Sequence, residues 1–415
     1  MLLSQFPRSH HRFLSLPLLG PIADELDDWL ATTGYTRGSR QNSILRLPHV
    51  DAELRRRGVK QLADLTIPVL HDSWRALRKT YPFSARTVRA VERYLVANSL
   101  IANVQPATAV SSASLLIGEY ARHLCAVRGL AASTVSLHRY TAHCLLRHLD
   151  NKEVALKDLQ AAQIESYITE ASRRLCRRSL QTDISALRGF LRFLAIDGRV
   201  TTDLAGQIDT PRLYRLEQLP RALPWETVRA LLRSIDRTSA KGLRDYAMFL
   251  LIATYGLRTS EVVAITLDDL CWRQRCLQIY QRKTSSPLEL PLTNEVMCAL
   301  TKHLKRTPPS SSYRKIFLRT RAPIGALKPV AVTDAFEAWA RNSGVSIPFH
   351  GPHCLRHSLA VHLLKKGTPV KTIGDILGHR SVESTSAYLR LATEDLRGVS
   401  LPVSGTKRHA KGGRQ

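Results

Sequence analysis

Four short stretches of this chain carry side chains whose types and spacing suit chemistry on a phosphate ester. In the first, Arg258 and Glu261 follow a break at Gly256. On a helix, positions i and i+3 share a face, so the carboxylate can hold the guanidinium in one pose; an ordinary surface ion pair has the same spacing. In the second, Lys283 occupies a turn, Lys283-Thr284-Ser285-Ser286-Pro287, between two strand-like runs. It is either a solvated charge or, on a stiff hairpin, an ammonium that can reach a leaving oxygen. The third runs His350-Gly351-Pro352-His353-Cys354-Leu355-Arg356-His357-Ser358-Leu359 and reads as a helix opened by Gly-Pro. His353 and Arg356 fall near its N-terminal end, where backbone N–H groups already favour an anion, so the pair makes a phosphate site without a metal. In the fourth, a helix ends at Gly378 in a left-handed cap, His379 sits on the turn, and Ser381 can cap a helix carrying Tyr388, which is either packed core or a nucleophile.

A zinc centre on His353, His357 and His362 is the poorer reading of the third stretch. The i, i+4 pair suits a metal, but His362 follows at i+9 and there is no H-E-x-x-H glutamate.

The elements that must position these groups read as mostly helical. Leu355, Leu359 and Leu363 form the stripe that buries the third stretch. A helix opening at Trp225 after Pro224 and a long apolar helix from Arg244 to Tyr255 precede the first stretch. Cys276–Tyr280 and Leu288–Leu292 read as a strand pair flanking Lys283, and helices resume over Asn294–Leu304. Thr307–Ser312 reads as a loop.

Upstream, residues 21–100 and 112–200 are each helical in pattern. Leu26, Trp29, Leu30, Leu45 and Leu47 have spacings that can share a face, and the helix through Leu180–Leu194 has Ser179 as a cap. Helices in 134–194 pair an apolar side with Arg, His and Gln, which is either a solvated face or a DNA-facing one. The two stretches superpose at an offset of about 95, with Gly34-Tyr35 on Gly129-Leu130, which suggests a duplicated module or two unrelated helical domains.

The 415 residues hold 61 Lys+Arg against 34 Asp+Glu, a net charge of +27, with 44% hydrophobic residues. That content supports a buried core and argues against a disordered basic chain. The cationic surplus is most easily offset by a polyanion, and nucleic acid is the commonest one. Seven cysteines, none in a C-x-x-C pair, point to a reducing compartment and away from a disulfide framework or a zinc knuckle. The run Phe13–Gly20 imitates a signal peptide but is short and broken by Pro17, and no stretch has the roughly 20 apolar residues a bilayer needs, so the expectation is a cytoplasmic, nucleoid-associated chain without membrane contact.

The ordered set Arg258, Lys283, His353-x-x-Arg356, Leu377-Gly378-His379 and Tyr388 resembles the tyrosine recombinases, the phage-integrase family of site-specific DNA recombinases. The resemblance is strong over 218–395, moderate over 112–200 and weak over 1–100. It implies a mostly α fold with a small antiparallel β-sheet in the catalytic domain, preceded by helical core-binding-like modules, the whole a C-shaped DNA clamp. The domains expected are an N-terminal helical module (1–105), a core-binding domain (112–202), a linker (203–217), a catalytic domain (218–401) and a basic disordered tail (402–415). It further implies that Arg258 and Arg356 clamp the scissile phosphate, Tyr388 attacks to give a 3′-phosphotyrosyl enzyme, and His353 serves as base. Lys283 protonates the leaving 5′ oxygen, His379 orients the phosphate and Glu261 supports Arg258. No metal, ATP or other cofactor enters. The partners implied are double-stranded DNA, further copies in a homo-tetramer on synapsed sites, and related recombinases or accessory proteins. A type IB topoisomerase and a non-catalytic DNA-binding protein on the same scaffold are the alternatives.

Overall fold

The computed structural model describes residues 2–101, 112–200, 203–212, 219–281, 286–306, 313–378 and 382–391. The chain is mostly helical with one three-stranded sheet among the described residues, and it divides into two units.

One unit comprises Met1–Leu16, Gly20–Leu45 and Gln218–Gln415. Its centre is the helix Ala240–Tyr255, every residue of which from Gly242 to Ala253 is buried, as expected of a helix apolar on all sides. Ser239 Oγ caps it by accepting from the Gly242 N–H at 3.0 Å, so the helix starts a turn earlier than its apolar run announces. The fully buried Asp245 on this helix accepts from Arg244 (2.7 Å), Lys241 (2.7 Å) and Trp339 Nε1 (2.9 Å), which satisfies a charge that would otherwise be costly to desolvate. Helices Trp225–Ser234, Asn294–Arg306, Pro329–Asn342 and His353–Lys365 pack around it.

The sheet has the order β1 (Leu270–Cys271), β2 (Cys276–Gln281), β3 (Ser286–Pro291), antiparallel throughout, with Leu277 opposite Leu290 and Gln281 opposite Ser286. β2 and β3 form the expected hairpin, with β3 beginning at Ser286, inside the expected turn, and ending at Pro291, one residue before the expected end; β1 is too short to leave a periodic signal. The N-terminal residues add helices Ala23–Thr32 and Arg37–Leu45, tied by the buried Asp27, which accepts from Gln5 Nε2 (2.5 Å) and from Arg40 Nε (2.9 Å) and Nη2 (2.5 Å). The Thr33 carbonyl accepts from the Ile324 N–H at 3.0 Å. Leu45, expected on the apolar face, is instead 53% exposed, because the helix ends there and Arg46 opens the next one.

The other unit comprises Pro17–Leu19 and Arg46–Glu217. Helices Leu47–Arg56, Ile67–Thr80 and Pro82–Ala97 pack together, and the buried Asp51 accepts from the Leu18 and Leu19 N–H groups at 3.0 and 2.8 Å. Helices Ser112–Ala126, Ala132–Asp150, Ala161–Ser172 and Arg177–Ile196 enclose Tyr120, Leu145, Leu187, Phe190 and Leu194. Asp183 accepts from Thr141 (2.6 Å) and Tyr167 (2.9 Å) inside this core. Ser179 is not the cap: Cys176 is, and Ser179 stands in the first turn, its Oγ 3.3 Å from Cys176 Sγ. The helix begins earlier than expected, at Arg177, and Leu180 is the first buried side chain on it.

Candidate active site

Two helix ends and one helix start build the site. The helix Ala240–Tyr255 ends at Gly256, which takes φ +67°, and the helix Val370–Leu377 ends at Gly378 with φ +62°. Both conformations favour glycine, and each leaves carbonyls at the negative end of a helix that attract cations. The third element, His353–Lys365, carries His353, Arg356 and His357 on its first turns. Glu337 fixes its entry by accepting from the Gly351 N–H at 2.6 Å.

Arg356 is 3% exposed, and its guanidinium joins those two ends by donating to the Gly256 carbonyl and, at 2.6 Å, to the Leu377 carbonyl. Burial first, and the charge of Arg258 second, push its pKa down to about 10, while Glu261 and Tyr388 act in the opposite sense. Arg258 caps the short helix Thr259–Val262 rather than lying inside it. Glu261, 2% exposed, accepts from its backbone N–H (2.7 Å) and its Nη1 (2.7 Å), and Arg258 Nη2 donates to the Gly378 carbonyl at 3.4 Å. The expected carboxylate hold on Arg258 is therefore present, with the backbone included in it.

Tyr388 lies in the helical turn Ala387–Leu391, 3% exposed among Leu359, Ala360, Ile373 and Leu377. Burial raises its phenol above the ordinary value, and the positive charges of Arg356 and Arg258 pull it back. A tyrosine between two cations in a dry site is poised to bear negative charge once its proton has somewhere to go. The group against its hydroxyl is His357, whose Nδ1 lies 2.8 Å from the Tyr388 oxygen. His353 stands one turn earlier and exposed, its ring edge-on to that of His357 at 4.6 Å between centroids.

The structure thus brings Arg258, Glu261, Arg356 and Tyr388 together, with His353 beside them. Lys283 and His379 lie outside the described residues, as do Ser381, the loop Thr307–Ser312 and the tail from 402. His357 entered the sequence reading only as a metal ligand. The signal that could have found it is its place one residue after Arg356 and i+4 from His353, on the face that carries His353. His362 is stacked on Trp225 at 4.3 Å and 14°. Among the described residues no group of three or more His, Cys, Asp or Glu side chains could hold a metal ion, and no helix is long and apolar enough to cross a membrane.

Comparison with known proteins bears on this geometry. Residues 221–395 match the phage integrase family and residues 117–198 match its N-terminal SAM-like domain. A protein of Sinorhizobium fredii named as an integrase/recombinase, y4rA, is 31% identical over 402 residues, spanning 94% of this chain and 97% of its own length. The tyrosine recombinase XerD of Listeria monocytogenes is 29% identical over 290 residues, 68% of this chain and 96% of its own. In fold, the chain is similar to the XerH site-specific recombinase in a post-cleavage complex with difH substrate (TM-score 0.55, 15% identity, 74% of this chain and 92% of that one). It is also similar to a lambda integrase(75-356) dimer bound to a COC' core site (TM-score 0.52, 19% identity, 71% and 99%). With two arginines hung on helix-end carbonyls around a buried tyrosine, and a relative matched along nearly its whole length, the chain belongs to the phage integrase family of tyrosine recombinases.

Proposed function

We propose that this site-specific DNA recombinase cuts and rejoins strands through Tyr388, with Arg258 and Arg356 binding the non-bridging oxygens of the scissile phosphate. The observation that carries this reading is the Tyr388 hydroxyl, buried in the field of both guanidinium groups. A phosphodiester resists attack because its charge repels nucleophiles and its alkoxide leaves poorly; fixed cations answer the first difficulty and an acid the second. The Tyr388 oxygen forms a bond to phosphorus as the bond to the 5′ oxygen breaks, and Lys283 gives that oxygen its proton. His379 hydrogen-bonds the phosphate; His353, expected as the base, is exposed one turn before the histidine that meets the Tyr388 hydroxyl, and its place in this reading is beside the phosphate. The 3′-phosphotyrosyl linkage keeps the energy of the diester, so a 5′-hydroxyl from a second duplex reverses the step without ATP.

Strand exchange of this kind needs four protomers on two synapsed duplexes, with Leu389–Leu401 as the segment that meets a neighbour and double-stranded DNA as the partner of each. The lambda integrase dimer and tetramer structures support that reading by likeness of fold. Residues 112–202 serve as the core-binding domain, 203–217 as the linker, 218–401 as the catalytic domain and 402–415 as a basic tail, in a chain that works in the cytoplasm on the nucleoid. The stretch 1–105, expected as one module, is a copy of the core-binding domain whose Met1–Leu16 and Gly20–Leu45 group with the catalytic residues and whose remainder groups with 112–217. What supports this is the repeated order of helices around a short turn, Leu62–Asp64 in the first stretch and Leu156–Asp158 in the second, each ending in Asp followed by Leu.

The test expresses wild type and Tyr388→Phe in bacterial cells, recovers DNA covalently attached to the protein without a crosslinker, and sequences it. A discrete site enriched in the wild type and lost in the variant is the expected result. Scattered adducts without a preferred site would favour a relaxing topoisomerase, and an adduct that survives the substitution would remove Tyr388 from its role.

A further inference from the structure

We propose that His357 accepts the phenolic proton of Tyr388 as the phosphotyrosyl bond forms. The proposal rests on Tyr388 being the nucleophile. Its ground is the hydrogen bond between the Tyr388 hydroxyl and His357 Nδ1, 2.8 Å long, in a pocket where the tyrosine is 3% exposed. With hydrogen on Nε2, the tautomer the proposal assigns, Nδ1 accepts from the phenol O–H. Among the described residues, Arg258 and Arg356, whose charges reach the phenol, have no acceptor atom and cannot take a proton from it. Water reaches a 3% exposed ring poorly, so the imidazole is the base already in contact with the proton to be moved.

The geometry of the ring agrees with that work. His357 sits on the helix that carries Arg356, one residue further on, so the proton acceptor and the phosphate clamp share one rigid element. Its ring is packed edge-on against His353 at 4.6 Å and tilted against Tyr388 at 5.5 Å between centroids. Among the described residues, Tyr388 and His353 face its ring and Arg356 precedes it on the helix. In the forward step the Tyr388 oxygen bonds to phosphorus, its proton passes to His357 Nδ1, the bond from phosphorus to the 5′ oxygen breaks, and Lys283 supplies the proton that oxygen takes. When a 5′-hydroxyl attacks the phosphotyrosine, each proton returns by the same route. His353, exposed at the start of the helix, is left to the phosphate.

The experiment measures single-turnover formation of the Tyr388 adduct on a nicked suicide duplex carrying either the ordinary 5′ oxygen or a 5′ bridging sulfur, which leaves without an acid. Wild type, Tyr388→Phe, Lys283→Ala, His353→Ala, His357→Ala and His357→Asn are compared, with duplex binding as the check that each is folded. The proposal expects His357→Ala to lose about 100-fold or more on both substrates, the range of a general base, and to regain rate with added imidazole. Lys283→Ala should be slow only on the oxygen substrate. His357→Asn can still accept a hydrogen bond from the phenol but takes up no proton, so it should stay slow. A His357→Ala rate within a few-fold of wild type, a loss that the sulfur substrate restores, or full activity in His357→Asn would each overturn the proposal. If wild type forms no Tyr388 adduct on either substrate, the nucleophile assignment fails and the proposal falls with it.

Discussion

Gly256 offers a quantitative test of how the arginine clamp is built. Its φ of +67° disfavours any L side chain, and a Cβ placed there would lie 2.4 Å from Leu377 Cδ2 and 3.3 Å from Leu359 Cδ2. The backbone cost of alanine in that conformation is about 1–2 kcal/mol, and overpacking a core site costs about 1–3 kcal/mol more. Gly256→Ala should therefore lose about 2–5 kcal/mol, or about 5–15 °C of Tm for a body of this size. Gly367→Ala is the internal control, since φ is +79° there but nothing lies within 4 Å of the added carbon. It should show the backbone cost alone. The clash also falls on Leu377, whose carbonyl receives Arg356, so Gly256→Ala should form the Tyr388 adduct more slowly even at temperatures where it is fully folded. The assay is thermal unfolding of both variants by circular dichroism, followed by single-turnover cleavage at 20 °C below each midpoint. Equal midpoints for the two variants, or normal cleavage by Gly256→Ala, would refute the packing argument.

Further outcomes follow from groups described above. Arg356→Lys keeps a charge but one ammonium cannot reproduce a fork shared by two carbonyls, so adduct formation should fall about 100–1,000-fold, with gel-shift affinity for duplex nearly unchanged; equal activity would mean charge alone suffices. His303 is 1% exposed, its Nε2 donates to the Ile316 carbonyl, and burial holds its pKa below the ordinary value. The unfolded chain then binds the extra proton more readily, so this contribution is present above about pH 6.5 and is lost as pH falls below it. Urea midpoints at pH 8 and pH 5.5 should differ less in His303→Gln than in wild type, and an unchanged difference would remove His303 as the cause. With a net charge of +27, binding to duplex should weaken steeply and linearly in log–log plots against salt. A flat response in a fluorescence anisotropy titration would contradict an electrostatic grip.

Much of this site was legible because glycine and helix spacing speak locally. Gly256 and Gly378 announce left-handed helix ends by type alone, and Arg258 with Glu261 needs only the helical repeat. What failed to show was set by distant packing. Whether His353 or His357 meets Tyr388 depends on how one helix is rotated against a turn 31 residues away, and His357 entered the sequence reading only within the poorer zinc alternative. The helix Ala240–Tyr255 is buried on every side, so no periodicity marked its start, and the cap at Ser239 fell before the apolar run began. Asp27, Asp51 and Asp245 carry no local signal of burial, yet each is buried at the centre of a hydrogen-bond cluster that becomes visible only when its donors are brought together in space.

The bond from the Ile324 N–H to the Thr33 carbonyl has a consequence for how the chain is made. It closes a loop of 291 residues, and it lies within a body whose first helices are translated long before the rest. At about 5–20 residues per second, the ribosome delivers Ile324 about 15–60 s after Thr33. Through that interval the helices Ala23–Thr32 and Arg37–Leu45 are held by Asp27 and by the packing of Ala23–Thr32 with the N-terminal helices Leu2–Gln5 and His10–Leu14, without the Ile324 hydrogen bond. Contacts of such long range are closed late and slowly. A nascent chain stalled before Ile324 therefore lacks the donor that the Thr33 carbonyl meets in the finished fold, so this body is closed only after most of the chain has been made.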